Sequence, residues 1–213
     1  MPRPRFDKLD PGKREALLAA AANEFAGRGY EAASMNRIAG QAGTSKGALY
    51  YYFEDKADLF ATVLEAAMGR VLAEVSWPPA EELTAENFWA VARQATQRSL
   101  PALHRDTWYM RILWSFYRLQ EEAGARAASG RVMQHGRELT RSIFRRGQEL
   151  GVVRTDLPLE LLVEMHLAAD MAGDRWLVTH WDEFDEAGQA ELMGARVNLV
   201  QDMLAPSGGR RGL

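Results

Sequence analysis

Apolar residues in this chain recur at helical spacing from end to end. Nowhere do apolar and polar residues alternate over the length of a strand. No Asn-Gly or Asp-Gly pair marks a hairpin turn. The chain is therefore expected to be all-α, with about nine helices.

The punctuation places them. Asp10 suits an N-cap and Pro11 the first helical position. The stripe Leu18, Ala21, Ala22, Phe25 follows, and Gly27 and Gly29 are expected to close that helix. Ser34 can cap a short second helix that runs through Ala42 and ends at Gly43. Thr44 and Ser45 offer caps for a third, reaching Phe53. A longer fourth helix starts at Asp55 and turns Leu59, Phe60, Val63, Leu64 and Ala67 inward. Ser76-Trp77-Pro78-Pro79 stops it, because proline cannot continue a helix. Further helices are expected over 85–100, ended by Pro101, and over 105–123, 126–150, 157–181 and 185–204. The tail 206–213 is expected to be disordered.

Composition narrows the function. There is no cysteine, which excludes disulfides, thiol nucleophiles and thiolate metal sites. His-Glu-x-x-His is absent, and no residue set has metal-ligand spacing, so neither a metal nor a cofactor is expected. The longest unbroken apolar run, Ala16–Ala22, is too short to span a bilayer. The N-terminal MPRPRFDKLD lacks the apolar stretch of a secretory signal, so a cytoplasmic protein without membrane contact is expected. Net charge is −3, but residues 1–56 carry +2 and the remainder −5. A mildly basic N-terminal module on an acidic body can orient the chain on a polyanion.

Residues 34–53 carry the function-bearing pattern. Two short helices joined by a glycine-containing turn, Gln41-Ala42-Gly43-Thr44, make a helix-turn-helix. Ile38, Ala39, Leu49 and Phe53 form its apolar side, against Phe25 and Leu18. The second helix opens with small and polar residues, Thr44 to Ala48, at the end that enters the major groove in this motif. Ser45 and the backbone N–H groups at that helix start can hold phosphate. Lys46 can donate to guanine O6 or N7 or sit on a phosphate, Gly47 permits close approach, and Ala48 can touch a thymine methyl. Tyr50, Tyr51 and Tyr52 can reach phosphates or bases, and Lys56 can clamp the backbone. Ser34, Asn36 and Arg37 complete the candidate DNA-binding set. Each has a blander reading: the tyrosines as core faces, the lysines as solvated charges, and Arg37 in a local salt bridge. Arg3 and Arg5 can form a minor-groove arm or a plain basic tail.

On these residues the chain resembles the TetR/AcrR family of bacterial transcription regulators. The resemblance runs from Ala20 to Leu64. It rests on Phe25, Gly29-Tyr30, Ile38-Ala39, Ala42-Gly43-Thr44-Ser45-Lys46-Gly47, Leu49-Tyr50, Tyr52-Phe53 and Lys56. It implies a two-domain homodimer. Three N-terminal helices bind double-stranded operator DNA, and the body binds a small-molecule effector and dimerises through its last two long helices. The chain departs from the family pattern at Tyr52, where His is frequent, and at Ala48, where Thr or Ser is common. The module is expected over 1–56 and the effector-binding and dimerisation domain over 57–205.

The body is rich in tryptophan. Trp89, Trp108, Ile112, Phe116, His135, Met165, His166 and Ala169 are candidate ligand-binding residues, with Asp170 and Asp174 as further polar anchors. Most could equally be core. Two late stripes need partners. One is Leu161, Leu162, Met165, Ala169, Ala172, Trp176. The other is Leu192, Met193, Val197, Val200, Met203, Leu204. Paired between protomers, they would make a four-helix bundle. Two further readings stay open: a helix-turn-helix dimer without an effector, and an enzyme. The second finds no nucleophile elbow, phosphate loop or recognisable carboxylate pair to support it.

Overall fold

The computed structural model describes residues 4–206. Arg3 and the tail from 207 onward, both named above, lie outside the described residues. Among those described there is no strand, and eleven α-helices follow one another. They are α1 (Pro4–Asp7), α2 (Pro11–Arg28), α3 (Met35–Gln41), α4 (Lys46–Tyr52), α5 (Lys56–Val75), α6 (Phe88–Leu103), α7 (Trp108–Leu119), α8 (Ala123–Ala128), α9 (Gly130–Glu149), α10 (Leu159–His180) and α11 (Glu186–Leu204). Single 3-10 turns lie at Ala80–Glu82 and Trp181–Glu183. The all-α expectation holds, and the helices beyond the expected nine are the short α1 and α8.

Local chemistry explains most boundaries. The Asp10 carboxylate accepts from Lys13 N at the start of α2. Gly29, at φ 83°, follows its last residue, whereas Gly27 sits inside the helix rather than closing it. The Asp55 carboxylate accepts from Asp58 N, and the Asp58 carboxylate accepts from Glu54 N, so two carboxylates cap α5. Ser76, at φ 53°, leads into the two prolines that end it. Pro101, expected to stop α6, lies inside its last turn, and the helix runs on to Leu103. Pro101 forfeits the bond that a backbone N–H there would give to the Gln97 carbonyl, and the helix ends two residues later. The helix expected over 126–150 is broken at Ser129 into α8 and α9. The Ser129 hydroxyl is held by Gln120 and the Arg126 carbonyl.

The described residues form two compact units. The first runs to Val71 and includes His104–Gln134; the second takes Leu72–Leu103 and everything from His135. The division between the units falls within α5, the helix expected to carry the boundary, and the first unit also includes a distant segment. The reason is α7, which lies along α2. Trp108, Ile112 and Leu119 are buried there, and Trp108 Nε1 donates to Glu15 Oε1 at 2.7 Å. Arg111 donates to the Asn23 side chain and Arg118 to the Ala26 carbonyl.

In the first unit the core is built around Phe25, whose ring meets Phe60 edge-on at 4.9 Å. Leu18, Ile38, Leu49, Phe53, Leu59 and Leu64 close it, each 4% exposed or less. Burying side chains of this size is worth about 1.5–3 kcal/mol each. In the second unit, Leu83, Phe88, Phe144, Val153, Leu162, Val163 and Leu204 form the buried cluster. Gly147 permits this closeness: a Cβ there would collide with Val153 and Phe88.

Candidate nucleic-acid interface and effector cavity

The turn between α3 and α4 satisfies its own backbone. Gly43, at φ 63°, occupies the left-handed position after α3. Its N–H donates to the Gly40 carbonyl, and Thr44 N–H donates to the Ala39 carbonyl at 2.9 Å. This pair of bonds is the Schellman pattern, which needs a residue that tolerates positive φ. Thr44 is half-buried in the turn, so the cap of α4 falls to Ser45, whose Oγ accepts from Ala48 N at 3.1 Å. The hydroxyl hydrogen of Ser45 is left to donate outward.

Helix α4 has two distinct sides. Leu49, and Phe53 just beyond its end, are wholly buried. Ser45, Lys46, Gly47, Tyr50 and Tyr51 are exposed, with Tyr50 at 41% and Tyr51 at 48%. Ala48 and Tyr52 are half-buried between them. Lys46 Nζ lies 5.9 Å from the centre of the Tyr50 ring. A Cβ on Gly47 would meet only Ser45 Oγ, at 3.8 Å, so nothing within the chain requires glycine at that position. The ridge thus combines a cation, phenol hydroxyls, a hydroxyl cap and a position without a side chain. That is the chemistry that touches phosphates and base edges.

Three other candidates are already engaged inside the protein. Arg37 Nε donates to Glu24 Oε1 at 2.7 Å, and its NH2 donates to the Ala32 carbonyl. Lys56 Nζ donates to the carbonyls of Tyr30 at 2.8 Å and Glu31 at 3.0 Å, and lies over the Tyr30 ring. Ser34 stands before α3 but makes no side-chain cap; its N–H donates to Glu24 Oε1. These residues shape the module, while Asn36 remains exposed on the first turn of α3.

Two features escaped the sequence reading. Glu24 is a buried carboxylate on an otherwise apolar stripe of α2, and that break in the stripe was its signal. Burial opposes its ionisation. Hydrogen bonds from Arg37 and Ser34 N–H, with the charges of Arg37 and Arg28, outweigh burial and hold its pKa below the ordinary value. The other is Phe6 on α1. It is buried against Phe53, with ring centres 5.0 Å apart, and the Arg5 guanidinium stacks over Tyr51 at 4.5 Å. Arg5, read as an arm or a tail, here braces the exposed side of α4.

The second unit holds a half-open cavity of about 340 Å³ between α6, α9, α10 and α11. Of the eight residues proposed as ligand-binding, it gathers Trp89 and His166, with Asp170 and Asp174 as anchors. The other six do not line it. Trp108 and Ile112 are core of the first unit, and Phe116 is half-buried on the same helix there. His135, Met165 and Ala169 are exposed. Aromatic density marked a packing helix as readily as a pocket, because both bury the same rings. In their place stand Trp77, Phe88, Phe144, Met193, Arg196 and Val197. Arg196 is three residues after Met193 and four before Val200, a charge inside an apolar stripe that could have been noticed.

The polar end of the cavity is tightly linked. Arg196 NH2 lies 2.7 Å from Asp174 Oδ1 and 3.4 Å from Asp170 Oδ1, and His166 Nε2 lies 3.4 Å from Asp170 Oδ2. Desolvation raises the Asp170 pKa, as does Asp174, while His166 and Arg196 pull against it. Trp77 Nε1 and His166 Nδ1 are buried without a hydrogen-bond partner. Among the described residues, no cluster of three acidic or imidazole side chains could hold a metal. No described helix is long and apolar enough to cross a membrane.

A turn that satisfies its own backbone and presents an exposed second helix defines a helix-turn-helix protein. Residues 17–63 match the family described as bacterial regulatory proteins, tetR family. Over these residues the chain is similar to the TetR family of bacterial regulators. It is similar to the transcriptional repressor BepR of Brucella suis, 43% identical over 54 residues that make up 25% of this chain and 26% of BepR. It is also similar to the transcriptional activator FasR of Mycolicibacterium smegmatis, 41% identical over 63 residues, 30% of this chain and 29% of FasR. The chain thus spans between a quarter and a third of the length of these curated relatives. Its fold matches a crystal structure of the transcriptional regulator FadR from Bacillus subtilis in complex with stearoyl-CoA. The TM-score is 0.68 at 19% identity, covering 89% of this chain and 98% of that one.

Proposed function

We propose that the chain is an effector-controlled transcriptional repressor that binds a palindromic operator as a homodimer. The observation that carries this reading is the exposed ridge Ser45, Lys46, Gly47, Tyr50, Tyr51, held outward by the buried Leu49 and Phe53. One such short helix reads only a few base pairs. Two of them set about 34 Å apart by a two-fold axis would read two half-sites. The exposed apolar residues Leu161, Met165 and Trp176 on α10 and Leu199 on α11 support these helices as the dimer contact.

The cavity of the second unit favours effector control over a dimer without an effector. An effector releases DNA by the difference in its affinity for the DNA-binding and released states, and by nothing else. The named repressor BepR and the stearoyl-CoA complex of FadR support repression and a small-molecule effector by analogy. The test is titration of the purified protein against duplex DNA flanking its own gene at several salt concentrations. Salt-sensitive binding by a dimer is the expected result; binding indistinguishable from random duplex would refute the proposal.

A further inference from the structure

We propose that the cavity of the second unit selects a small organic cation with an aromatic or apolar body, and disfavours acyl anions. This deepens the effector reading above and rests on it. Two independent observations point to the class, and a third to a small-molecule site as such.

The first is charge. Asp170 and Asp174 face the cavity against a single guanidinium, Arg196, which both already share. His166 is the remaining titratable group in the lining, and it too contacts Asp170. An incoming carboxylate would add a third anion or compete for Arg196. A cation would meet Asp170, whose contacts with Arg196 and His166 are both at 3.4 Å, longer than the 2.7 Å between Arg196 and Asp174. Desolvation already raises the cost of ionising Asp170, and a bound cation would offset it.

The second is the wall. Trp77, Phe88 and Trp89 line the cavity, and the rings of Phe88 and Trp89 meet edge-to-face at 5.1 Å. Aromatic faces attract cations, tryptophan most strongly. The third is size and polarity. At about 340 Å³ the space lies at the lower end of the range for small-molecule sites. It holds buried polar atoms that the protein does not satisfy, Trp77 Nε1 and His166 Nδ1. Such atoms are rare in a finished core and ordinary where a ligand or water completes the bonding.

The test uses the full chain and three probes that share one ring: benzyltrimethylammonium, 3-phenylpropionate and benzyl alcohol. Calorimetric titration should show the ammonium binding at least about tenfold more tightly than the carboxylate. Asp170→Asn should remove that preference, with a thermal melt confirming the fold. Trp89→Leu, as a second variant, should weaken the ammonium more than the alcohol. If the carboxylate or the alcohol binds best, or if Asp170→Asn leaves the preference intact, the cation assignment is wrong and the effector reading survives. If none of the three binds at millimolar probe, the cation assignment is wrong, and the proposed function is judged separately by the DNA titration above.

Discussion

Arg37 Nε donates to Glu24 Oε1 across 2.7 Å, tying the first helix of the helix-turn-helix to the buried side of α2. The same carboxylate oxygen also accepts from Ser34 N–H, at the entry to α3. One buried charge therefore sets both the start and the position of the helix that supports α4.

Replacing Glu24 with Ala should destabilise the protein by about 1–3 kcal/mol, because Arg37 and Ser34 N–H lose their partner in a buried setting. The pH dependence has a definite sign. The Glu24 pKa is lowered on folding, so its contribution is complete above the ordinary glutamate value. It is lost as pH falls from about 4.5 through the lowered value. Urea denaturation at pH 7 and pH 3.5 should show the wild type losing more stability than Glu24→Gln. Equal losses would contradict this account.

Lys56 is predicted to be structural. Its ammonium ties α5 to the Tyr30 and Glu31 carbonyls, while Glu122 holds the N–H groups of the same two residues. Lys56→Ala should lower the melting temperature, at a cost of about 1–2 kcal/mol. The salt slope of DNA binding should stay unchanged. A slope reduced by about one, with stability intact, would make it a phosphate contact.

Leu199 is 67% exposed on α11, and Trp176 is 45% exposed on α10. If this face joins two protomers, Leu199→Asp should move the sedimentation-velocity profile from dimer to monomer and weaken operator binding sharply. Loss of the second half-site contact is the cause. An unchanged dimer with unchanged binding would place the contact elsewhere.

The all-α class and the helix-turn-helix were legible because their signals are local. A 3.6-residue stripe and a glycine after α3 act over a few residues and do not depend on distant neighbours. The roles of Arg37 and Lys56 were not legible in the same way. An arginine aimed at phosphate and one aimed at Glu24 look alike until α2 is placed beside α3. The cavity was least legible. Trp108 and Trp89 have the same chemistry, and only the course of α7 along α2 assigns the first to a core. Phe6 was missed because a four-residue helix has no period to read.

The most direct test of the central claim is fluorescence anisotropy with labelled DNA from beside the gene, comparing the wild type with Lys46→Ala, Tyr51→Ala and Phe53→Ala. Lys46→Ala and Tyr51→Ala should each weaken binding by about 1–3 kcal/mol with no fall in melting temperature. Phe53, wholly buried, should when cut to Ala cost about 3–5 kcal/mol of stability and abolish binding by unfolding the module. Wild-type affinity in both surface variants, or Tyr51→Ala losing stability while still binding DNA, would contradict the assignment of α4 as the reading helix.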